Sequence, residues 1–290
     1  MKNHIQELPM PMAFVHEARL RIYKPARRPT AQDQTEVIET SYGKLVLEHR
    51  TVQDKIDPKK FKLRPLGLGH ADLIDAMRLT AIDQFFDGSG RLVLLIDPSK
   101  ARAAGGFKCS LRDLEKMLDD LAGALIKIVE PASLEATGHL IDTWRKASDA
   151  TGQISLPCPL SRTKRYGHGS RATRALWQVT FGDVGMILLK NDLPVQFDLV
   201  KISALRFGVS QAAARWLLGQ SRGKQPQGGW KVDTVIKAVA GTLGSEDFRH
   251  RRHEISRDLE GLEVLGIQIK SGRIWLQSVQ PTPEERATHA

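Results

Sequence analysis

Residues 228–277 read GGWKVDTVIKAVAGTLGSEDFRHRRHEISRDLEGLEVLGIQIKSGRIWLQ and contain the clearest secondary-structure signals of the chain. It predicts a short helix over 233–240, a turn, a long helix over about 246–265 and a β-hairpin, in that order. Asp233 stands where its carboxylate can cap the short helix. Gly241 stands where a left-handed residue can close that helix, so both ends of it are predicted from the sequence.

The long helix is predicted to have one apolar face and one basic face. At about 100° per residue, a single stripe holds the apolar side chains Phe248, Ile255, Leu259 and Leu262. A cationic face is what a helix needs to approach phosphates, because most of the affinity for DNA comes from charge neutralisation and counterion release. The basic residues predicted to enter a DNA major groove are Arg249, His250, His253 and Arg257, and Arg252 on the same helix is also a predicted DNA contact.

A tight β-hairpin is predicted after the long helix. The segments IQIK and RIWLQ alternate apolar and polar residues around Ser271 and Gly272, a pair that suits a two-residue turn. Lys270 and Arg273 flank the tip and are predicted to hold phosphates. Helix, turn, basic helix and basic-tipped hairpin follow the order of a winged helix-turn-helix, which lays its second helix in a major groove. A charged face is usual for any solvated helix, so the prediction rests on all four elements together.

A second module of the same kind is predicted earlier in the chain. Its helix, strand, short helix and longer helix cover 70–86, 91–97, 99–104 and 110–122. Its last two strands, 124–131 and 138–148, are predicted to form a β-hairpin with each other. Ser110 and Asp113 have the spacing of a capping box at the start of the longer helix. The exposed face of that helix mixes both signs of charge, with Arg112, Glu115, Lys116, Asp119 and Asp120. Mixed charge favours a dimerisation or supporting role over groove reading.

The predicted fold class is therefore α+β, with two tandem winged helix-turn-helix domains behind a loosely ordered N-terminal arm. The predicted boundaries place the partly disordered arm at 1–64 and the first domain at 65–192. The second domain, the main DNA reader, covers 193–278, and a disordered tail covers 279–290. Within the arm, the segment SYGKLVLE at 41–48 is predicted to be a strand.

Two further basic segments are candidates for phosphate contact. The segment 160–182 has no acidic residue, and its predicted contacts are Arg162, Lys164, Arg165 and Arg171. No acidic residue stands between Asp198 and Asp233 either, and the predicted contacts there are Arg222, Lys224 and Lys231. The alternative for the segment 160–182 is a flexible loop that its charge merely keeps in solution.

Composition limits the class of protein and the class of partner. The 290 residues are enough for two ordinary domains, and 41% hydrophobic residues are enough for a substantial core. The formal net charge of +10 indicates a polyanionic partner, either nucleic acid or an acidic membrane surface. No apolar run approaches the roughly 18 residues of a membrane span, and no secretory signal is recognisable. With only Cys109 and Cys158 and no CxxC motif, a reduced, cytoplasmic protein is expected.

Residue patterns that carry chemistry are scarce. The nine histidines show no HxH or HExxH spacing for a metal, and Gly67-Leu68-Gly69 lacks the GK[ST] ending of a Walker A loop. A nicking enzyme needs a tyrosine beside paired histidines, and Tyr166 in its basic loop is the least poor candidate. The sequence therefore predicts a binding protein with no cofactor, no metal and no catalytic residues.

Several ordered blocks resemble a known family. The blocks are GLGHADLIDAMRLTA (67–81), GHLIDTWRKASDATG (138–152), LRFGVSQAAARWLLGQ (205–220), KVDTVIKAVAG (231–241) and FRHRRHEISRDLEGL (248–262). In order and spacing they are similar to plasmid replication initiators with two winged-helix domains, most closely the TrfA-like initiators. The resemblance implies binding to direct repeats (iterons) at an origin, melting of a nearby AT-rich stretch and recruitment of the host helicase and host initiator. It also implies dimers that dissociate to bind the origin as monomers.

Two other functions stay open from the sequence. A winged-helix transcriptional regulator would bind an operator without opening it, and a nickase or integration enzyme would use Tyr166. Footprinting separates the first of these from an initiator, since a regulator covers a palindrome and leaves the duplex closed. A cleavage assay with a Tyr166→Phe control tests the second.

Overall fold

The fold combines helices with antiparallel strands, and a computed structural model describes it for residues 15–26, 30–54, 56–146, 176–191, 198–220 and 225–277. The helices are α1 Val15–Leu20, α2 Leu68–Thr80, α3 Pro98–Ala104, α4 Leu111–Gly123, α5 Asp183–Asn191, α6 Leu199–Ala204, α7 Gly208–Leu218, α8 Val232–Ala240, α9 Ser245–Ser256 and α10 Leu259–Val264. The strands are β1 Thr35–Thr40, β2 Gly43–Glu48, β3 Arg50–Gln53, β4 Phe61–Arg64, β5 Ala81–Phe86, β6 Leu92–Ile96, β7 Leu125–Glu130, β8 Ala136–Gly138, β9 Ile141–Lys146, β10 Trp177–Phe181, β11 Trp230–Lys231, β12 Ile267–Lys270 and β13 Arg273–Leu276.

Four sheets organise these strands. Three of them lie in the first unit, the described residues from 30 to 191, with orders β1-β2-β7-β8, β5-β6-β10-β9 and β3-β4. The fourth, with order β11-β13-β12, lies in the second unit, residues 198–277. The named strand pairs within the described residues are antiparallel, which agrees with the predicted α+β class.

The prediction of a loosely ordered N-terminal arm is wrong for residues 30–64. The predicted strand there is β2, and it pairs with β7, so that Leu45 lies opposite Ile128 and Leu47 opposite Ile126. Both leucines are fully buried. The sequence did not reveal this because the partner strand lies about 80 residues away along the chain, and non-local pairing leaves no local pattern.

The second half of the predicted helix 70–86 is also wrong. Helix α2 ends at Thr80, and AIDQFF continues as β5, an edge strand that pairs with β6. This segment pairs with β6, which is fully buried, and this pairing favours a strand. The helical spacing of its apolar residues is only approximate, so it does not hold the segment in a helix. The two final strands of this module were predicted as a hairpin with each other, but β7 and β9 belong to different sheets.

Two long helical stretches of the second unit are interrupted, one of them the predicted helix 246–265. Residues 198–219 form α6 and α7, and residues 246–265 form α9 and α10. The two breaks meet at Asp258, a buried residue whose carboxylate accepts the backbone N–H of Arg206 at 3.1 Å and of Phe207 at 2.9 Å. One carboxylate therefore satisfies backbone donors that the break before α7 leaves without helical partners.

A buried ion triad joins the two units. Arg215 of α7 donates to Asp75 at 2.6 Å and to Asp72 at 2.7 Å, both on α2, and all three side chains are buried. Nearby, the Tyr42 hydroxyl donates to Gln220 at 2.9 Å. Removing charges from water is costly unless they are paired in good geometry. The triad of Arg215, Asp72 and Asp75 therefore favours the one arrangement of the two units in which these charges are paired.

None of the helices described in the structure is long and apolar enough to cross a membrane.

Candidate nucleic-acid interface

Helix α9 is held on the second unit by its apolar side. Ile255 is buried and Phe248 packs partly buried against the same core. Gly241 closes α8 at a φ of +79°, a conformation that L side chains rarely adopt, which confirms the predicted helix end. Helix α9 begins at Ser245. Its N-cap residue is Gly244, so no side chain caps the start of this helix.

The opposite side of α9 faces solvent. The side chain of Arg249 is 82% exposed and that of His250 is 67% exposed. His253 is exposed as well, and it lies about 40° around the helix from Arg249 at 100° per residue. Arg257, just beyond the last residue of α9, is also exposed. The structure thus brings four of the predicted residues to one open face.

Acidic residues of the same helix adjoin part of this face. Glu246 approaches Arg249 at 3.9 Å, and Glu254 lies 3.7 Å from His250. Among the described residues, no carboxylate forms an ion pair with His253 or Arg257. These two side chains, together with the largely exposed Arg249, are the hydrogen-bond donors of the face most available to a phosphate or a base.

Arg252 differs from its neighbours because it is already engaged. Its guanidinium makes a two-pronged hydrogen bond with Asp233 of α8, which also raises the pKa of Arg252 above its usual range. Asp233 was predicted to cap α8, but the N-cap is Lys231 and the Asp233 carboxylate points to α9 instead. Arg252 and Asp233 are both about half exposed, so the pair lies at the surface.

The predicted hairpin forms next to α9. Ser271 at φ +48° and Gly272 at φ +71° make the turn between β12 and β13, a pattern that fits the two-residue turn expected from the sequence. Lys270 is exposed at the tip. Arg273 folds back and donates to the carbonyls of Gly228 and Gly229 at 3.1 and 3.3 Å, so part of its donor capacity is used within the protein.

A groove of about 500 Å³ separates α9 from the hairpin. Its floor is apolar, with Val232, Ile255, Leu259 and Ile269. Its rim carries Lys231, Arg252 and Arg273, together with the single acidic side chain Asp233. The groove therefore joins three predicted contacts that are distant in sequence into one continuous surface.

Two arginines meet at the end of α9. The guanidinium carbons of Arg257 and Arg206 lie 5.5 and 5.3 Å from the centre of the Phe207 ring. Arginine over an aromatic face is an attractive contact, and it holds both cations at the break between α6 and α7. Arg206 was not among the predicted contacts, although it stands in the segment between Asp198 and Asp233 that has no acidic residue, a signal that could have included it.

Helix α4 of the first unit, predicted from the sequence to have a face of mixed charge, has most of its charges paired within the unit. The predicted capping box forms, with Ser110 accepting from the Asp113 N–H and Asp113 binding back. Glu115 pairs with Lys146 at 2.9 Å, and Asp119 accepts from the Trp144 indole at 2.9 Å. This helix surface is therefore turned toward β9 and offers few unpaired cations.

Several predicted contacts fall outside the described residues. They are Arg162, Lys164, Arg165, Arg171, Arg222 and Lys224, together with Tyr166 of the nickase hypothesis. In the parts of the chain that the structure describes, no group of three or more His, Cys, Asp or Glu side chains is placed to hold a metal ion.

Comparison with solved structures identifies the fold. The crystal structure of domains 2 and 3 of RctB, a selenomethionine derivative, superposes with a TM-score of 0.52, 11% identity, and coverage of 91% of this chain and 96% of that chain. A second crystal structure of RctB domains 2–3 gives a TM-score of 0.49 at 13% identity, with coverage of 90% and 94%. No protein-family model and no curated protein sequence matches the chain. At this identity the likeness concerns the fold, and it extends over both units.

Proposed function

We propose that this protein is a replication initiator that binds specific sequences in double-stranded DNA through its second unit. The observation that carries the proposal is the exposed basic face of α9 beside a hairpin with a cation at its tip. The fold supports it, because it resembles the replication initiator domains of RctB. The formal net charge of +10 suits a polyanionic partner.

The finer proposal is a pair of winged helix-turn-helix domains. In the second unit, α8 and α9 would be the helix pair and the β12–β13 hairpin would be the wing, with β11 as the third strand. The TrfA-like resemblance then suggests that the DNA consists of iterons at a plasmid origin. It further suggests that binding opens a nearby AT-rich stretch and recruits the host helicase and host initiator, with a homodimer as the resting form.

The residues would divide into readers and anchors. Arg249 has the exposure and the fork of donors needed for a two-pronged contact with guanine, and His253 lies beside it on the same face. Lys270 and Lys231, exposed at the hairpin and at the rim of the groove, would hold phosphates, which position the protein without reading bases. We propose that the protein acts in this way without a catalytic centre, a metal or a cofactor of its own.

Selection from a random pool of duplex DNA at physiological salt tests the proposal. An initiator should enrich one non-palindromic motif, and on DNA with tandem copies it should make an adjacent AT-rich stretch reactive to permanganate. Enrichment of a palindrome, with the duplex left closed, would favour a transcriptional regulator. Binding that salt abolishes without any enrichment would contradict sequence-specific recognition. Strand cleavage that is lost in Tyr166→Phe would instead support the nickase.

A further inference from the structure

The β3–β4 hairpin projects from the first unit as a sheet of its own. Arg50 to Gln53 pairs only with Phe61 to Arg64, and neither strand joins another sheet among the described residues. At its base, Arg50 is tied to Asp120 of α4 at 3.1 Å. The hairpin is therefore attached firmly at one end, and its tip is free of strand partners in the described structure.

The tip of this hairpin is organised by its own polar groups. Asp54 accepts the N–H of Ile56 at 2.9 Å, and Asp57 accepts the N–H of Lys59 at 3.1 Å. The Gln53 amide closes the loop by donating to the Pro58 carbonyl at 2.7 Å. Both carboxylates also pair with lysines of β4 or its approach. The hydrogen bonds and ion pairs of Asp54 and Asp57 therefore stay within the hairpin.

What the loop presents outward is apolar and basic. Ile56 is 91% exposed and Phe61 is 67% exposed, the two highest values among the large apolar residues that the structure describes. Lys59 and Arg64 are exposed and form no ion pair with a described carboxylate. A hydrogen-bonded loop that holds an isoleucine in water, with Lys59 in the same loop and Arg64 at the base of the same hairpin opposite Arg50, has the features of a ribbon that contacts nucleic acid, where apolar wedges enter between base steps.

We propose that the β3–β4 hairpin is a second DNA contact, in which Lys59 and Arg64 hold the backbone and Ile56 enters the minor groove and bends the duplex. This inference rests on the proposed function, since it assumes that α9 binds the same DNA. The occupant follows from charge complementarity, because Lys59, Lys60, Lys62 and Arg64 outnumber the two carboxylates of the loop. A bend next to the α9 site would help to open a neighbouring stretch.

The test compares full-length variants of the hairpin with matched surface variants. Lys59→Ala/Arg64→Ala should lower the slope of log affinity against log salt by about 2 on random-sequence duplex. The control Lys127→Ala/Lys190→Ala, which removes two exposed lysines elsewhere, should leave the slope unchanged. On a duplex with the selected motif, end-to-end energy transfer should show that Ile56→Ser loses at least about 20° of bend. The exposed apolar control Val37→Ser should keep the bend.

The outcomes separate this inference from the proposed function. If Arg249→Ala weakens binding while both hairpin variants behave as their controls, the hairpin contact is overturned and the α9 contact stands. If Ile56→Ser changes the sedimentation of the free protein and leaves the bend intact, the hairpin is a protein contact and the inference is wrong. If the wild-type protein binds no DNA, both proposals fall together.

Discussion

Arg249 is the single residue on which base reading depends most. Its side chain is 82% exposed, and its acidic neighbour Glu246 approaches only to 3.9 Å. Arg249→Ala should therefore cost about 1–3 kcal/mol on the selected motif and much less on random DNA, because a base contact discriminates where a phosphate contact does not. Fluorescence anisotropy on both DNAs measures this. Arg112→Ala, which removes an exposed arginine of α4, is the control, and equal losses on both DNAs would show that Arg249 holds a phosphate.

Asp233 controls a second arginine of the same surface. Its carboxylate accepts hydrogen bonds from the guanidinium of Arg252 and places a negative charge in the groove beside the hairpin. Asp233→Asn should release Arg252 and remove that repulsion, so affinity for random duplex should rise by about threefold to tenfold. Because a surface ion pair contributes only about 0–1 kcal/mol to stability, the fold should persist. A fall in affinity would indicate that the pair positions α9 and does not compete with DNA.

Glu36 contributes to the free energy of unfolding of the first unit, and its contribution depends on pH. A hydrogen bond from His49, and then the nearby Lys24, lower the pKa of Glu36 from 4.5 to about 2 against the opposing effect of burial. A depressed carboxyl pKa stabilises the fold above pH 4.5, and this stabilisation is lost as the pH falls toward 2. Since the side chain is 33% exposed, solvent screening limits it to about 1 kcal/mol.

Urea unfolding from pH 6 down to about pH 3 measures this contribution. Glu36→Gln should unfold more easily than wild type at the upper end, and the difference should shrink as the pH falls. Exposed Glu48→Gln is a suitable comparison on the neighbouring strand. A difference between Glu36→Gln and wild type that stays constant with pH would rule out the ionised carboxylate as its source.

At the scale of elements, Asp258 determines how α9 ends. Its buried carboxylate accepts two backbone N–H groups that precede α7. Asp258→Ala should lower the free energy of unfolding by about 2 kcal/mol, because part-buried donors would lose a charged acceptor. Chemical denaturation tests this, with Glu260→Ala as a neighbouring exposed control that should change stability by less than about 0.5 kcal/mol. An Asp258→Ala protein as stable as the control would mean that the two helices break for another reason.

Local signals made some elements predictable from the sequence. Ser110 and Asp113 form their capping box, Ser271 and Gly272 make the turn of the wing, and Gly241 ends α8, since each depends on residues close together in the chain. The basic face of α9 was predictable for the same reason, because a helix places residues four apart side by side. Its acidic neighbours within the helix could have been found from the same spacing.

Contacts across the chain were not predictable in this way. The pairing of β2 with β7, the bonds from Asp258 to the amides before α7, and the pair between Arg252 and Asp233 join distant segments. Each of these contacts opposes a local signal. The strand pairing orders part of an arm whose charges and prolines suggested disorder. The bonds to Asp258 stand where an apolar repeat suggested one long helix, and the pair with Arg252 uses an aspartate that was expected to cap α8. Tertiary contacts of this kind override propensity because burial involves larger free energies.

At the scale of the whole molecule, the Arg215 triad holds the two units in one arrangement. Arg215→Met would leave Asp72 and Asp75 buried without the arginine and should cost about 3–5 kcal/mol of stability. Chemical denaturation of the variant and of the wild type measures this loss.

The matched comparison is Arg215→Met/Asp72→Asn/Asp75→Asn, which removes the charges together and should recover part of the loss. A single variant Arg215→Met that is as stable as wild type would contradict a role for the triad in joining the units. Limited proteolysis adds a second readout, because loosening the triad should make α2 and α7, which it joins, more accessible to a protease before either unit unfolds.

The most direct test of the central claim, that α9 lies in a major groove, is dimethyl sulfate footprinting on the selected motif. This reagent methylates guanine N7, which faces the major groove. Wild-type protein should protect guanines within about one half-turn, and Arg249→Ala should restore reactivity at one of them while Lys270→Ala leaves the pattern unchanged. Protection confined to the minor groove, or a pattern identical for wild type and Arg249→Ala, would contradict the docking of α9.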